Sequence, residues 1–201
     1  GVYDMYSRKG NHIVTVTTEH KAVLDTCKHL EKQGAQITYL KTDAEGNIDL
    51  NELESVVTDK TIMVAVMYAN NEIGTIAPIR QIADIAHKKG ALMFSDATQA
   101  AGKISIDVDR DGIDLMAFTA HKMYGPKGVG ALYVRRKNPR VKVTAQMDGG
   151  GHERGMRSGT LNVPGIVGFG KAAELAMMEM EIDAARLSVM RDRLENELCK
   201  I

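Results

Sequence analysis

The sequence has 201 residues, with 26 Lys and Arg against 26 Asp and Glu, so its formal net charge is zero. With 44% hydrophobic and 26% charged residues, it has the composition of a folded globular chain and not of a disordered one. Zero net charge argues against general binding to nucleic acid or to an anionic membrane, and the longest apolar run, residues 61–69, is far too short to span a bilayer. Cys27 and Cys199 form no disulfide or zinc pattern, so we expect a reducing, cytoplasmic location.

Apolar runs alternate with helical patterns along the first two thirds of the chain. Strands are predicted at 12–17, 35–40, 61–69, 92–95, 115–119 and 129–134. Strand, helix and strand in repetition predict parallel pairing through right-handed crossovers. The link from Thr119 to Val129 is too short for a crossover helix, so the last strand should return antiparallel. We therefore predict an α/β fold with a mostly parallel six-stranded sheet, one antiparallel strand and helices on both faces.

Caps and breakers delimit the helices between these strands. One helix carries Val23, Cys27 and Leu30 at helical spacing and ends at Gly34, one covers 49–57 with Asp49 as N-cap, and one begins at Pro78 and ends at Gly90. The stretch 164–201 is mainly helical and unusually long for a helix inside a compact domain. Both chain ends look cut. We therefore predict a partial α/β domain over 1–163, followed by a long helix over 164–201 that leads to a further, C-terminal domain.

Two motifs match a known kind of site only in part. The run 107–112 copies the start of a calcium loop, but Phe118 stands where such a loop needs its bidentate Glu. We interpret this run as a solvated turn. The basic stretch 135–142 has no interleaved aromatics and is interpreted as a solvated hairpin end, not as a nucleic-acid patch. The six histidines include no HExxH pair, and no metal site is expected.

An acid and a lysine follow two successive predicted strands. Asp96 comes directly after 92–95, and Lys122 follows 115–119. In an open α/β sheet, the carboxyl ends of the strands border the crevice where ligands bind. An amine with a lowered pKa can form a Schiff base with an aldehyde, and a carboxylate can keep a pyridine nitrogen protonated. Either residue alone could be a surface residue, but together they favour a pyridoxal phosphate site.

Five motifs carry a resemblance that covers the entire chain. They are 18–23 (TEHKAV), 70–74 (NNEIG), 96–99 (DATQ), 121–128 (HKMYGPKG) and the glycine-rich run 149–160. In this order they resemble the cysteine desulfurases of iron–sulfur cluster assembly, which are fold type I pyridoxal-phosphate enzymes of the class V aminotransferase family. The resemblance implies a fold type I large domain, pyridoxal 5'-phosphate as cofactor, and the removal of sulfur from L-cysteine to give L-alanine and an enzyme persulfide.

The resemblance also implies which residues do the chemistry. Lys122 would carry the internal aldimine and later move protons. Asp96 would pair with the pyridinium nitrogen of the cofactor. His20 would stack on the face of the ring and assist proton transfer. Lys122 and His20 are therefore the expected catalytic residues.

The remaining expected residues would hold the cofactor. Asn71 and Gln99 would hydrogen-bond its phenolic oxygen, and Thr119 and His121 would hold its phosphate. Thr160 would reach the phosphate of a neighbouring subunit, which makes a homodimer part of the active site. A scaffold or another sulfur-acceptor protein would then take the sulfur.

Two departures from the family pattern limit what the resemblance implies. Thr119 and Ala120 stand where many relatives have Ser-Gly, although Thr keeps the hydroxyl. The family's nucleophilic cysteine and its carboxylate-binding arginine would lie beyond residue 201, and an early phosphate-binding segment would lie before Gly1. We therefore expect the 201-residue chain alone to be inactive. A related class V enzyme, such as a selenocysteine lyase or an aminotransferase, and a non-catalytic cofactor-binding or dimerisation fragment stay open as alternatives.

Overall fold

One six-stranded sheet forms the centre of the molecule, for which a computed structural model describes residues 1–201. The strands are β1 (His12–Val16), β2 (Gln36–Leu40), β3 (Thr61–Ala65), β4 (Leu92–Asp96), β5 (Leu115–Thr119) and β6 (Gly130–Val134). Their order across the sheet is β2-β1-β3-β4-β5-β6. Every neighbouring pair is parallel except β5 and β6, which are antiparallel. The predicted mostly parallel sheet with one returning strand is therefore confirmed.

Five α-helices accompany the sheet, most of them between the strands. They are α1 (Val2–Tyr6), α2 (Lys21–Glu31), α3 (Leu50–Val56), α4 (Ile79–Lys88) and α5 (Val163–Leu198). Asp49 caps α3 as predicted, since its Oδ1 accepts hydrogen bonds from the backbone N–H groups of Asn51 at 2.8 Å and Glu52 at 3.3 Å. Helix α1 was not predicted, because five residues are too few to show a helical period.

Strand β3 ends four residues before the apolar run that predicted it. Beyond Ala65, the backbone N–H of Tyr68 still donates to the carbonyl of Asp96 at 2.9 Å, so this segment continues alongside β4. The chain then turns at Asn70, whose side-chain oxygen accepts from the backbone N–H groups of the next loop residues. The apolar run reflects burial, which extends past the end of the regular strand.

Apolar residues cover both faces of the sheet. The larger cluster joins alternate residues of the strands to α3 and α4, with Val14, Met93 and Ile82 at its centre. On the opposite face, Leu92 and Leu115 pack with residues of α1 and of the segment after β6. This alternation of sides is the two-residue period of a strand, and it explains why nearly all of β1 and β3 is buried.

Helix α5 is continuous over 36 residues, but only its first part packs on the sheet domain. Phe169 and Ala172 are buried, and the ring of Phe169 meets that of Phe118 edge-on with centroids 5.7 Å apart. Later apolar side chains such as Met177 and Val189 are exposed. The long helix predicted over 164–201 is present, while a domain boundary at residue 163 stays a prediction. None of the helices has the length and apolarity needed to cross a bilayer.

The interpretation of the basic stretch as a solvated hairpin end is wrong for Arg135. This side chain is only 11% exposed and lies 3.1 Å from the fully buried carboxylate of Asp114. Its guanidinium also contacts Asp109 at 2.7 Å and donates to the carbonyl of Ile113. His87 holds the other carboxylate oxygen of Asp114 at 2.7 Å. The basic residue therefore neutralises a buried acid.

We expect Arg135→Ala to lower the free energy of unfolding by about 3 kcal/mol, because it removes the guanidinium that pairs with the buried Asp114 carboxylate and leaves that carboxylate only the hydrogen bonds from His87 and the backbone N–H of Met93. Urea unfolding followed by circular dichroism measures the change. Arg136→Ala is the matched control, since Arg136 is exposed and should change stability little. An equal effect of the two substitutions would contradict this role for Arg135.

Candidate functional site

The carboxyl ends of β4 and β5 are neighbours at one edge of the sheet. Asp96, the last residue of β4, is in register with Ala117 of β5, and the N–H of Ala97 donates to the Ala117 carbonyl at 2.9 Å. Thr119 ends β5 two residues further on. The chain runs from β1 outward to β2 and then returns to β3 on the other side of β1, and such a reversal opens a ligand crevice at the same edge.

Asp96 is held by its own turn and by the neighbouring segment. Its Oδ1 accepts a hydrogen bond from the backbone N–H of Thr98 at 2.9 Å, and its carbonyl accepts from Tyr68. The side chain is half-buried, and its Oδ2 has no donor within the chain. The carboxylate is therefore fixed in place with one oxygen left to accept from a ligand N–H group.

Thr119 and His121 lie together where β5 ends. The Thr119 hydroxyl donates to the carbonyl of Val129 at 3.2 Å, and the same oxygen lies 2.9 Å from Nδ1 of His121. The His121 side chain is exposed. A hydroxyl and an imidazole fixed side by side can serve an anionic group, as the sequence motif implied.

Lys122 lies on the 3-10 turn Ala120–Met123 and not on the strand itself. Ala120 and Met123 are buried against the first part of α5, whereas Lys122 is exposed and its amine has no partner in the chain. Gly125 completes the turn, and a Cβ there would come within 3.1 Å of the Ala172 Cβ. The buried residues on either side thus hold the turn while the amine stays accessible.

His20 and Asn71 border the same edge on the side of β1 and β3. His20 is the N-cap of α2 and accepts at Nδ1 from the backbone N–H of Ala22 at 3.2 Å, which fixes the exposed ring. Asn71 is exposed and has no side-chain hydrogen bond, whereas the preceding Asn70 donates to the carbonyl of Thr18 at 3.0 Å. The two amides thus differ: Asn70 joins the two strand ends, and Asn71 is available to a ligand.

Gln99 and Thr160 differ in how the chain holds them. Gln99 accepts at Oε1 from the amine of Lys103 at 2.8 Å. Thr160 is exposed on the loop before α5, and no hydrogen bond joins it to the other predicted residues. The glycine-rich run around it is anchored by the buried Ser158, whose hydroxyl accepts from Gly151 at 3.2 Å. Within one chain, Thr160 thus lies on the loop before α5 and not at the end of a strand.

Sequence reasoning missed Glu19, which is buried just after the end of β1 with 5% exposure. One carboxylate oxygen accepts from the backbone N–H of Met67, and the other has no partner. Burial raises the pKa of Glu19 to about 8, with a further upward contribution from the negative charge of Asp96. The hydrogen bond from Met67 acts in the opposite direction. Glu19 lies between Thr18 and His20 in the 18–23 motif, so no apolar pattern in the sequence indicated that this position is buried.

The run 107–112 is not the fully solvated turn that its composition suggested. Asp111 is buried, its Oδ1 lies 2.7 Å from Nε of Arg110, and its Oδ2 accepts from the hydroxyl of Tyr68 at 3.1 Å. That interpretation is therefore wrong for Asp111, because a partner distant in sequence comes to it. No group of three or more His, Cys, Asp or Glu side chains is arranged to hold a metal ion.

Cys27 is buried on α2, as its place on the apolar side of the helix predicted, and Cys199 is exposed. Burial raises the pKa of the Cys27 thiol to about 11, with Glu19 and Glu31 adding to the shift. Only about one Cys27 thiol in a thousand would be ionised at pH 8. Cys27 is therefore not suited to act as a nucleophile in the folded chain.

We expect a thiol reagent to modify one cysteine rapidly in the native chain at pH 8 and both after denaturation, because only the thiolate reacts. Ellman titration with and without guanidinium chloride measures the two numbers. In the control variant Cys199→Ser, rapid labelling of the native protein should disappear. Rapid labelling of that variant would show that Cys27 is accessible.

Comparison with known proteins agrees with this fold and these motifs. The family model described as "Aminotransferase class-V" matches residues 2–201. A protein named cysteine desulfurase IscS from Edwardsiella ictaluri is 55% identical over 198 residues, which are 98% of this chain and 49% of that protein. An IscS from Anaeromyxobacter is 54% identical over 198 residues, with the same coverage. The chain thus spans about half the length of the curated relatives it matches.

Solved structures show the same fold. A "NifS-like protein" superimposes with a TM-score of 0.94 at 40% identity, covering 99% of this chain and 54% of that one. A structure titled "SspA in complex with cysteine" superimposes with a TM-score of 0.81 at 39% identity, covering 87% of this chain and 50% of that one. The fold type I architecture expected from the motifs is confirmed. On the match over residues 2–201, the chain belongs to the class V aminotransferase family.

Proposed function

We propose that this chain is the cofactor-binding part of a pyridoxal-phosphate-dependent cysteine desulfurase, which removes sulfur from L-cysteine and leaves L-alanine. The observation that carries the proposal is the pair of Asp96 and Lys122, at the ends of neighbouring strands with a free carboxylate oxygen and a free amine. The choice of substrate is supported by 55% identity to a protein named cysteine desulfurase and by likeness to a structure titled as a complex with cysteine.

The polar side chains at this edge fit pyridoxal phosphate. The cofactor has an aldehyde, a pyridine nitrogen, a phenolic oxygen and a phosphate, and each needs a different partner. The amine of Lys122 suits the aldehyde, and Oδ2 of Asp96 suits the protonated ring nitrogen. The Thr119 and His121 pair suits the phosphate. The donor set therefore matches the cofactor group by group.

Each residue of the site would have its own role toward the cofactor and the substrate. When bound, the cofactor supplies an electron sink. Asp96 would keep the ring nitrogen protonated through a charge-assisted hydrogen bond. The amine of Lys122 would hold the aldehyde, and when free it would move protons at the substrate carbon. His20 would cover the ring, and Asn71 and Gln99 would donate hydrogen bonds to the phenolic oxygen.

Partners and location follow from the same proposal. Thr160, exposed and unpaired within its own chain, would bind the cofactor phosphate of a second subunit in a homodimer. The persulfide would pass to an iron–sulfur scaffold or another acceptor protein, and the reducing cytoplasm would keep the thiols reduced. Cys27 is buried with a raised pKa, and Cys199 lies at the end of α5 that is remote from the sheet, so the nucleophilic cysteine would be supplied by another part of the protein. The 201-residue chain alone should therefore not desulfurate cysteine.

In the full-length protein, we expect Asp96→Ala to retain part of the cofactor but to lose most of the turnover, because the ring nitrogen loses its carboxylate partner. Release of alanine and sulfide from L-cysteine, with added pyridoxal phosphate and a reductant, measures the turnover. Asp59→Ala, an exposed acid remote from the site, is the control and should keep normal turnover. Near-normal turnover of Asp96→Ala would reject the proposed role.

A further inference from the structure

Lys103, which no motif singled out, contacts a predicted cofactor residue. It lies four residues after Gln99, and its amine donates to Oε1 of that amide at 2.8 Å. The segment between them is held in place, since Ala100 and Ala101 are buried and the N–H of Ala101 donates to the Ala97 carbonyl at 2.8 Å. The contact between lysine and amide therefore belongs to a fixed turn after β4.

This turn packs against the turn that carries Lys122. Gly102 has φ near 75°, and a Cβ at this position would come within 3.3 Å of the Cβ of Met123. The pKa of Lys103 is lowered, chiefly by partial desolvation of its amine and then by the positive charge of Lys122. Lys103 and Lys122 thus lie on two turns that pack against each other at the strand-end edge, and Gln99 is hydrogen-bonded to Lys103.

The chemistry of the two side chains determines which end of the amide is left over. A glutamine amide offers one oxygen that accepts and one NH2 group that donates, whereas a lysine ammonium only donates. When the ammonium occupies the oxygen, the NH2 group is the end left for another partner. The phenolic oxygen of pyridoxal phosphate is an acceptor, so it needs the donating end.

We propose that Lys103 is a positioning residue, which fixes the Gln99 amide so that its NH2 group faces the phenolic oxygen of the cofactor. The inference rests on the proposed function, since it assumes that pyridoxal phosphate binds at this edge. Lys103 would not contact the cofactor itself and would act on it only through Gln99. Without Lys103, the amide could turn its oxygen toward the phenolic oxygen, where two acceptors repel each other.

The test measures cofactor binding and not activity. In the full-length protein, Lys103→Met should weaken binding of pyridoxal phosphate about tenfold and change its visible absorption band, because the amide loses its preferred orientation. Lys103→Arg keeps a cationic donor and should restore affinity to within about threefold. Thermal unfolding of the cofactor-free variants should match that of the unsubstituted protein, because most of the Lys103 side chain is exposed and only its amine is partly shielded from solvent.

A double-mutant cycle separates orientation from simple charge. In a Gln99→Ala background there is no amide to orient, so Lys103→Met should weaken binding by less than about threefold. An equal loss in both backgrounds, or unchanged binding and spectrum of Lys103→Met, would overturn the positioning role while leaving cofactor binding intact. If the unsubstituted protein binds no pyridoxal phosphate, both this inference and the proposed function fail.

Discussion

Replacing Lys122 with Ala is expected to abolish covalent attachment of pyridoxal phosphate. The amine of Lys122 has no partner in the chain and stands on a turn held by the buried Ala120 and Met123. Only a primary amine forms a Schiff base with the aldehyde, so alanine removes the bond altogether. Borohydride reduction of the full-length protein with added cofactor, followed by peptide mass spectrometry, should find the adduct on Lys122 and none in the variant.

The choice of control lysines makes this experiment stringent. Lys127→Ala alters another exposed lysine five positions along and should leave the adduct in place. Lys103 is the more demanding comparison. Its lowered pKa leaves more of its amine unprotonated, and the unprotonated amine is the form that attacks an aldehyde. An adduct on Lys103 or on any other lysine in the unsubstituted protein would show that Lys122 has been wrongly assigned.

Glu19→Gln is expected to remove a large pH dependence of stability. The folded-state pKa of Glu19 is about 8, against a reference value of 4.5, so the folded protein keeps a proton that the unfolded chain releases. The stability that this proton contributes is fully present below pH 4.5 and is lost as the pH rises through 8. The shift corresponds to about 5 kcal/mol at pH 9. Gln is neutral at every pH and can still accept from Met67, so its variant should be the more stable at high pH.

Urea unfolding of both proteins between pH 5 and pH 9 measures this difference. The free energy of unfolding should fall more steeply with pH in the unsubstituted protein than in Glu19→Gln. Glu179→Gln is the matched control, because Glu179 is an exposed acid on α5 and should leave the steep profile unchanged. Parallel profiles for the unsubstituted protein and Glu19→Gln would mean that Glu19 is ionised in the folded state.

Local sequence patterns were enough to predict the elements and much of the edge that carries the site. The alternation of strand and helix, the Asp49 cap and the antiparallel return of β6 follow from neighbouring residues and from the length of one link. The same reasoning placed Asp96 and Lys122 after successive strands, and a parallel sheet brings such positions to one edge. The motifs then indicated the family.

The tertiary structure alone decided the environment of individual side chains. Glu19, Arg135 and Asp111 look like ordinary surface residues in the sequence, yet each is largely buried by segments 20 to 50 positions away. The contact of Lys103 with Gln99 is close in sequence, but its meaning depends on the Lys122 turn packing beside it. Burial and charge pairing depend on which distant segments meet, whereas local periodicity reports only the direction in which a side chain points.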